Sequence, residues 1–321
     1  MSGAFHPWAA PVALGLVLAG VWWLATVDSL VRARVADAGW RAMALAPVDP
    51  LRAGLRLLLK EARATEVPDH ALWRAAPVLL VGLALAALAV MPLAPDLIGA
   101  DLSVGVVYFT AMFALVMVAV FAAGWAPNSK YPLIAGYRFI GLMLAYEMPF
   151  AITIIAVALP AESLALSEIV AAQKAILWNI VLQPVGFVIY LVSALAVAFW
   201  GPFEIIDSPD LAGGAELEMG GAPLAAWRFG HYALLLATSA FAVPLFLAGG
   251  QGPWLPPAVW SVLKVLLVAS LLVSLRHLLP RLRLDWFMKT AWVILIPLSL
   301  VNLFLVGLLM LLFPGFFEGR S

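Results

Sequence analysis

Long apolar runs alternate with short polar joints along this chain. Eight runs approach or exceed the roughly 20 residues a helix needs to cross a bilayer core of about 30 Å. They are Ala10–Val27, Leu72–Leu93, Val104–Trp125, Gly136–Leu159, Leu177–Trp200, Gly230–Gly249, Trp254–Leu275 and Thr290–Phe313. All are rich in Leu, Val and Ala and too long for strands. A helix satisfies its own backbone in lipid, so the pattern predicts an all-α, polytopic bundle of about eight transmembrane helices and no barrel. The chain 1–321 reads as a single integral membrane domain.

Two polar stretches break the pattern. The first is Asp49–Arg63, DPLRAGLRLLLKEAR. Leu51, Leu55, Leu58 and Leu59 share one helical face, and Arg52, Arg56, Lys60 and Arg63 another. Asp49 can cap the start and Pro50 suits the first helical position. Such a helix lies in the membrane interface, either as an anchor or as the sill of a cavity entered from the membrane. The second is Gly201–Arg228, which holds Glu204, Asp207, Asp210, Glu216 and Glu218. Those are five of only 18 carboxylates in the chain. On composition alone they read as a solvated loop.

Composition narrows the class. The chain is 65% hydrophobic and 11% charged, against about 25% charged in a soluble domain. Net charge is zero, which gives no pull toward nucleic acid. There is no cysteine, so disulfides, thiolate metal sites and cysteine-bound iron–sulfur clusters are excluded. A redox centre would sit on a partner or diffuse. The N-terminal MSGAFHPWAAPVALGLV has no basic residue before its apolar run and reads as a first span rather than a cleaved signal. Most Lys and Arg fall in the loops after spans 1, 3, 5 and 7, with Lys174 and Arg320 on the other side. The positive-inside rule places the odd loops in the cytoplasm and both termini outside.

Ionisable residues within spans are candidate functional groups, because a buried charge without a partner is costly. Glu147 lies midway along span 4, and Arg138 is nine residues before it. At 1.5 Å per residue the two are about 13 Å apart, too far for a direct pair. Lys264 lies within span 7 and reads as a functional cation or as a partner for a neighbouring carbonyl or acid. His6, His70, His231 and His277 are scattered without metal-ligand spacing, so no metal site is expected. There is no phosphate-binding glycine loop, nucleophile elbow or HExxH motif. Trp8, Trp73, Trp125, Trp200, Trp254 and Trp286 lie near span ends and read as an interfacial aromatic belt.

Three stretches together resemble the H subunit of bacterial respiratory complex I, the subunit 1 family of mitochondria. They are GWAPNSKYPLIAGYRFIGLMLAYE (Gly124–Glu147), PFEIIDSPDLAGGAELE (Pro202–Glu218) and RLRLDWFMKTAW (Arg281–Trp292). DPLRAGLRLLLKE resembles the family's amphipathic helix, and the likeness runs from about residue 49 to 310. It implies a multi-pass subunit of the cell (inner) membrane that forms the membrane side of a quinone chamber and couples quinone reduction to proton translocation. Quinone would be a substrate, with no cofactor bound covalently. Flavin and iron–sulfur clusters would sit on partner subunits of the peripheral arm, beside other membrane-arm subunits. By position, the resemblance carries proton coupling to Glu147, Glu204, Asp207, Asp210, Glu216, Glu218 and Arg138. Quinone contact would fall to Asp28, Arg32, Arg34, Arg52, Arg56 and Lys60. The chain departs from the family at Ala114, where a carboxylate is usual, and lacks the RxGPN run after the first span. The anchor subunit of an energy-converting hydrogenase, a stand-alone ion transporter and a pure scaffold for a redox module stay open as alternatives.

Overall fold

The computed structural model describes residues 9–62, 65–94, 97–98, 100–175 and 177–313. His6, Trp8, Arg63 and Arg320 lie outside the described residues. Helices dominate. In chain order they are α1 (Ala9–Val35), α2 (Trp40–Leu45), α3 (Asp49–Leu58), α4 (His70–Ala89), α5 (Gly105–Trp125), α6 (Lys130–Ala158) and α7 (Leu166–Ala175). Then come α8 (Asn179–Leu182), α9 (Pro184–Val197), α10 (Gly221–Phe246), α11 (Pro257–Leu278), α12 (Leu284–Thr290) and α13 (Ile296–Leu312). A small antiparallel pair, β1 (Pro92–Ala94) with β2 (Leu97–Ile98), turns the chain between α4 and α5. Among the described residues seven helices are long and apolar enough to cross a membrane, and α9 is a shorter apolar helix.

α10 is the hub. It packs against α1, α3, α4, α7, α9 and α11, and most of its side chains are buried. Ala233, Ala237 and Ala240 keep its surface thin, which lets neighbouring backbones approach closely. Phe109 of α5 stacks on Phe241 of α10 at 3.5 Å between ring centroids. On the periphery, Leu298, Phe304 and Leu311 of α13 are exposed, forming an apolar face suited to lipid or other membrane helices.

The fifth expected span, Leu177–Trp200, is not one continuous helix. It breaks at Gln183, because the residue before a proline is driven out of helical geometry, and Pro184 starts α9 afresh. The polar residues at the break are buried and bonded. Gln183 Nε2 donates to the Ala156 carbonyl of α6, and Asn302 Nδ2 of α13 donates to Gln183 Oε1. Asn179 Nδ2 donates to the Leu245 carbonyl, and Gln173 Nε2 to that of Pro244. The last span also differs: it begins at Leu284 and runs through a π-turn, Ala291–Leu295, just before Pro297. A π-turn there accommodates a residue with no N–H to give the preceding turn.

Lys264 serves the far end of α10. Its Nζ donates to the carbonyls of Leu247, Gly249 and Gln251 at 2.6, 2.8 and 2.7 Å, and sits 4.3 Å from the Trp178 ring centroid. Lys264→Met would leave those carbonyls without their donor. We expect a loss on the order of 3 kcal/mol, read as a lower midpoint in tryptophan-monitored thermal unfolding. An unchanged midpoint would show that the lysine does not hold this end.

The tryptophans divide into two groups. Trp125, Trp254 and Trp286 are exposed, as an interfacial belt requires, but Trp73 and Trp200 are buried. Packing against His231 and Tyr232 of α10 and under Arg276 of α11 accounts for Trp200.

Candidate functional site

The acidic loop is not a solvated loop. Phe203, Ile205, Ile206, Leu211 and Met219 alternate with its acids and bury themselves in the bundle. Two short 3-10 turns, Pro209–Leu211 and Gly214–Glu216, lay the loop on α6. Gly214 has φ +53° and its α-carbon lies against the Ile206 carbonyl, so a Cβ there would collide with backbone. Leu282 N donates to Pro202 O at 3.0 Å, tying the loop to the linker between α11 and α12. Gly201 admits Arg276: a Cβ at Gly201 would sit 3.0 Å from the Arg276 Cα.

This packing closes a cavity of about 510 Å³ where the loop meets the ends of α1, α10 and α11. Four carboxylates, Asp28, Glu204, Asp207 and Glu216, lie at or behind its wall, facing four arginines, Arg32, Arg228, Arg276 and Arg281. Arg276 is central. It pairs with the buried Glu204, lies 3.8 Å from Asp28 and stands 4.7 Å from the Trp200 ring centroid. Arg281 holds the other Glu204 oxygen at 3.0 Å. Arg228 grips Glu216 with two nitrogens, the shorter bond being 2.7 Å. Asp28 is buried and heavily bonded: Arg32 at 2.5 Å, Tyr232 Oη at 3.0 Å and His277 Nε2 at 2.8 Å. His231 contacts the Ala198 carbonyl through Nε2 at 2.8 Å, with its ring stacked on Phe199.

Asp207 is the unsatisfied member. Its Oδ1 is shut from solvent with no hydrogen-bond partner among the described residues. Burial first, then the Glu216 and Glu204 carboxylates, push its pKa well above the usual 3.8, against the opposing pull of Arg228 and Arg276. Asp210 behaves oppositely. The Ser208 hydroxyl and then Arg138, bonded at 2.7 Å, hold it below the ordinary value on an exposed surface.

The expected site residues therefore separate. Asp28, Arg32, Glu204, Asp207 and Glu216 come together at the chamber. Lys60 and Glu218 line a second cavity of about 670 Å³, with Glu61, Leu57, Met219 and Leu224, between the end of α3 and the start of α10. Ser129 Oγ donates to Glu218 at 3.1 Å. Arg138 meets Asp210 outside the chamber. Arg34, Arg52 and Arg56 are exposed and show no ion pair among the described residues. Glu147 lies partly buried along α6, without a hydrogen bond or ion pair among the described residues. The chamber also recruits residues absent from the expected site: Tyr232, His231, His277, Arg276, Arg228 and Arg281, the last of which opens the third of the quoted motifs. The available signal was the run RHLLPRLR (Arg276–Arg283), basic charge leaving an apolar span on the side of the acidic loop. Among the described residues no group of His, Asp and Glu is arranged to hold a metal ion.

A polytopic helical bundle with seven helices long and apolar enough to cross a membrane is an integral membrane protein. The chain belongs to the NADH dehydrogenase family, whose model matches residues 10–307. It is similar to the NADH-quinone oxidoreductase H subunit of Anoxybacillus flavithermus, 37% identical over 265 residues, which cover 81% of this chain and 79% of that one. The same-named protein of Dehalococcoides mccartyi is 34% identical over 268 residues, 83% of this chain and 75% of that one. That of Bacillus mycoides is 38% identical over 265 residues, again 81% and 79%.

Proposed function

We propose that this chain is the membrane subunit of an NADH-quinone oxidoreductase that walls the quinone chamber and passes the consequence of quinone reduction into the membrane as proton movement. The observation that carries the reading is the chamber itself: a cavity of about 510 Å³ with paired arginines and carboxylates, one of them Asp207 with an orphaned oxygen. Paired guanidinium groups suit the oxygens of a headgroup that gains negative charge as it takes up electrons. Crowded carboxylates respond to that charge by redistributing protons. The 670 Å³ cavity beside α3 supplies a lateral approach, with the amphipathic helix as its sill. In this reading the odd loops face the cytoplasm and both termini the outside. The peripheral arm, with its flavin and iron–sulfur clusters, sits over the acidic loop, and neighbouring membrane-arm subunits cover the apolar flanks. The names of the curated relatives favour a quinone over a hydrogenase acceptor.

Photolabelling with an azido-quinone in the assembled complex tests the chamber. Label is expected within 28–32, 198–232 or 276–283, the segments that line it. Label confined to other segments would sink the quinone reading. For the relay, Glu147→Gln is expected to abolish proton translocation in reconstituted complex while the bundle still assembles. Unchanged pumping per electron would remove Glu147 from the path.

A further inference from the structure

Arg52 and Arg56 line neither cavity. Their helix, α3, packs on α1 and α10. At about 100° per residue it has three faces. Pro50, Gly54 and Leu57 are half-buried on the packed face. Leu51, Leu55, Leu58 and the C-cap Leu59 come next around the helix, each more than half exposed. Arg52 and Arg56 follow, one turn apart and exposed, at the far edge of the leucines. Asp49 is the one acid of α3 and sits in its first turn, where the helix dipole favours it. A bond just before α3 sets its depth. Trp22 Nε1 of α1 donates to the Pro47 carbonyl at 3.0 Å. Trp22 lies six residues, about 9 Å, before Asp28, the first charged residue of α1. α1 itself continues to Val35, about 20 Å beyond Trp22. The chain therefore turns back after α1 and brings the start of α3 down beside the apolar part of that helix. Trp40 and Arg41 of α2 are exposed in the same elbow, with the guanidinium 5.6 Å from the ring centroid.

We propose that this elbow binds anionic phospholipid, with the leucines of α3 among acyl chains and Arg52 and Arg56 on the headgroup phosphate. The proposal does not depend on the quinone reading. Leucines left exposed at the depth of an apolar span are covered by lipid chains. The arginine stems lie along that apolar surface while their guanidinium groups reach the phosphate layer. Positions one turn apart hold the two Cβ atoms about 5–6 Å from each other, so both side chains reach one headgroup. Each guanidinium fork matches a pair of phosphate oxygens. Charge then selects among lipids. A zwitterionic headgroup brings its own ammonium to its phosphate. An anionic headgroup, such as phosphatidylglycerol, leaves the phosphate charge for the arginines. Each arginine near an anionic surface contributes a preference of about fivefold. The acidic face of a soluble protein would satisfy the arginines but not leucines held at this depth.

The test uses the assembled complex in nanodiscs of equal parts phosphatidylglycerol and phosphatidylcholine. In parallel samples one lipid or the other carries an acyl-chain diazirine, and mass spectrometry locates the photolabel. Label on residues 40–59 is expected to favour phosphatidylglycerol by at least about fivefold. The double variant Arg52→Gln/Arg56→Gln should bring the two lipids close to parity. Arg52→Lys/Arg56→Lys keeps the charge and should keep most of the preference, which separates charge from a displaced helix. The proposal fails if wild-type labelling is at parity or if the glutamine variant keeps the preference. It fails if the lysine variant loses as much as the glutamine one, since charge would then not be the cause. It fails also if neither lipid labels 40–59, because a protein then covers the elbow.

Discussion

Arg276→Met is expected to silence quinone reduction in the assembled complex, by at least about tenfold, and to lower its stability by about 2 kcal/mol. The reason lies in what one guanidinium touches. Arg276 joins α11 to Glu204 of the loop, to Asp28 of α1 and to the face of Trp200. Removing one partner from a buried ion pair costs roughly 3–5 kcal/mol when the other is stranded. The cost is smaller here because Arg276 is 28% exposed and Arg281 still reaches Glu204. The functional loss should exceed the structural one, since the chamber loses its central positive charge. Arg276→Lys keeps the charge but loses the fork that spans two carboxylates, so an intermediate rate is expected. Wild-type turnover in Arg276→Met would show that the chamber is not where the headgroup reacts.

Asp207→Asn is expected to do two opposite things: raise thermal stability at neutral pH and impair coupling. The sign follows from the raised pKa. Above pH 3.8 the unfolded chain releases this proton while the folded chain retains it, so folding becomes less favourable as pH rises, until the folded pKa is passed. Whatever stability the protonated form supplies is complete below pH 3.8 and spent above the folded value. Asparagine cannot ionise and escapes the loss. Unfolding midpoints at a fixed scan rate should favour the variant at pH 7 and converge toward pH 4. A variant less stable at pH 7 would mean that the carboxyl makes contacts which the orphaned oxygen conceals. In parallel, protons moved per electron should drop, because a group poised by burial and two like charges is the first to respond when the chamber's charge changes.

Much of the architecture was legible because lipid imposes one rule on every span. Seven long apolar helices and a shorter eighth lie where the hydropathy placed them, and the amphipathic α3 shows its pattern openly. The break in the fifth span was also written in the chain, as Asn179, Gln183 and Pro184 within six residues, but hydropathy averaging hid it. The acidic loop was located and its burial was not, because its acids dominate any composition window while Ile205, Ile206 and Leu211 do the packing. The chamber was least legible. Asp28 meets His277 across 249 positions of sequence and Tyr232 across 204, and no local spacing carries such a pairing. Glu147 was conspicuous in the sequence and stands apart from the chamber's ion pairs.

The carbonyls around Lys264 give the bundle a mechanical asymmetry. Three backbone oxygens converge on one ammonium with the geometry offered to an ion stripped of its water. The ion is tethered by its own side chain and cannot diffuse away, so this end of α10 and α11 is clamped whatever the surrounding salt. About 18 Å along α11, at Arg276, the contacts are exchangeable ion pairs around a void. α11 is thus held at one end by a tethered cation and at the other by ion pairs around a cavity.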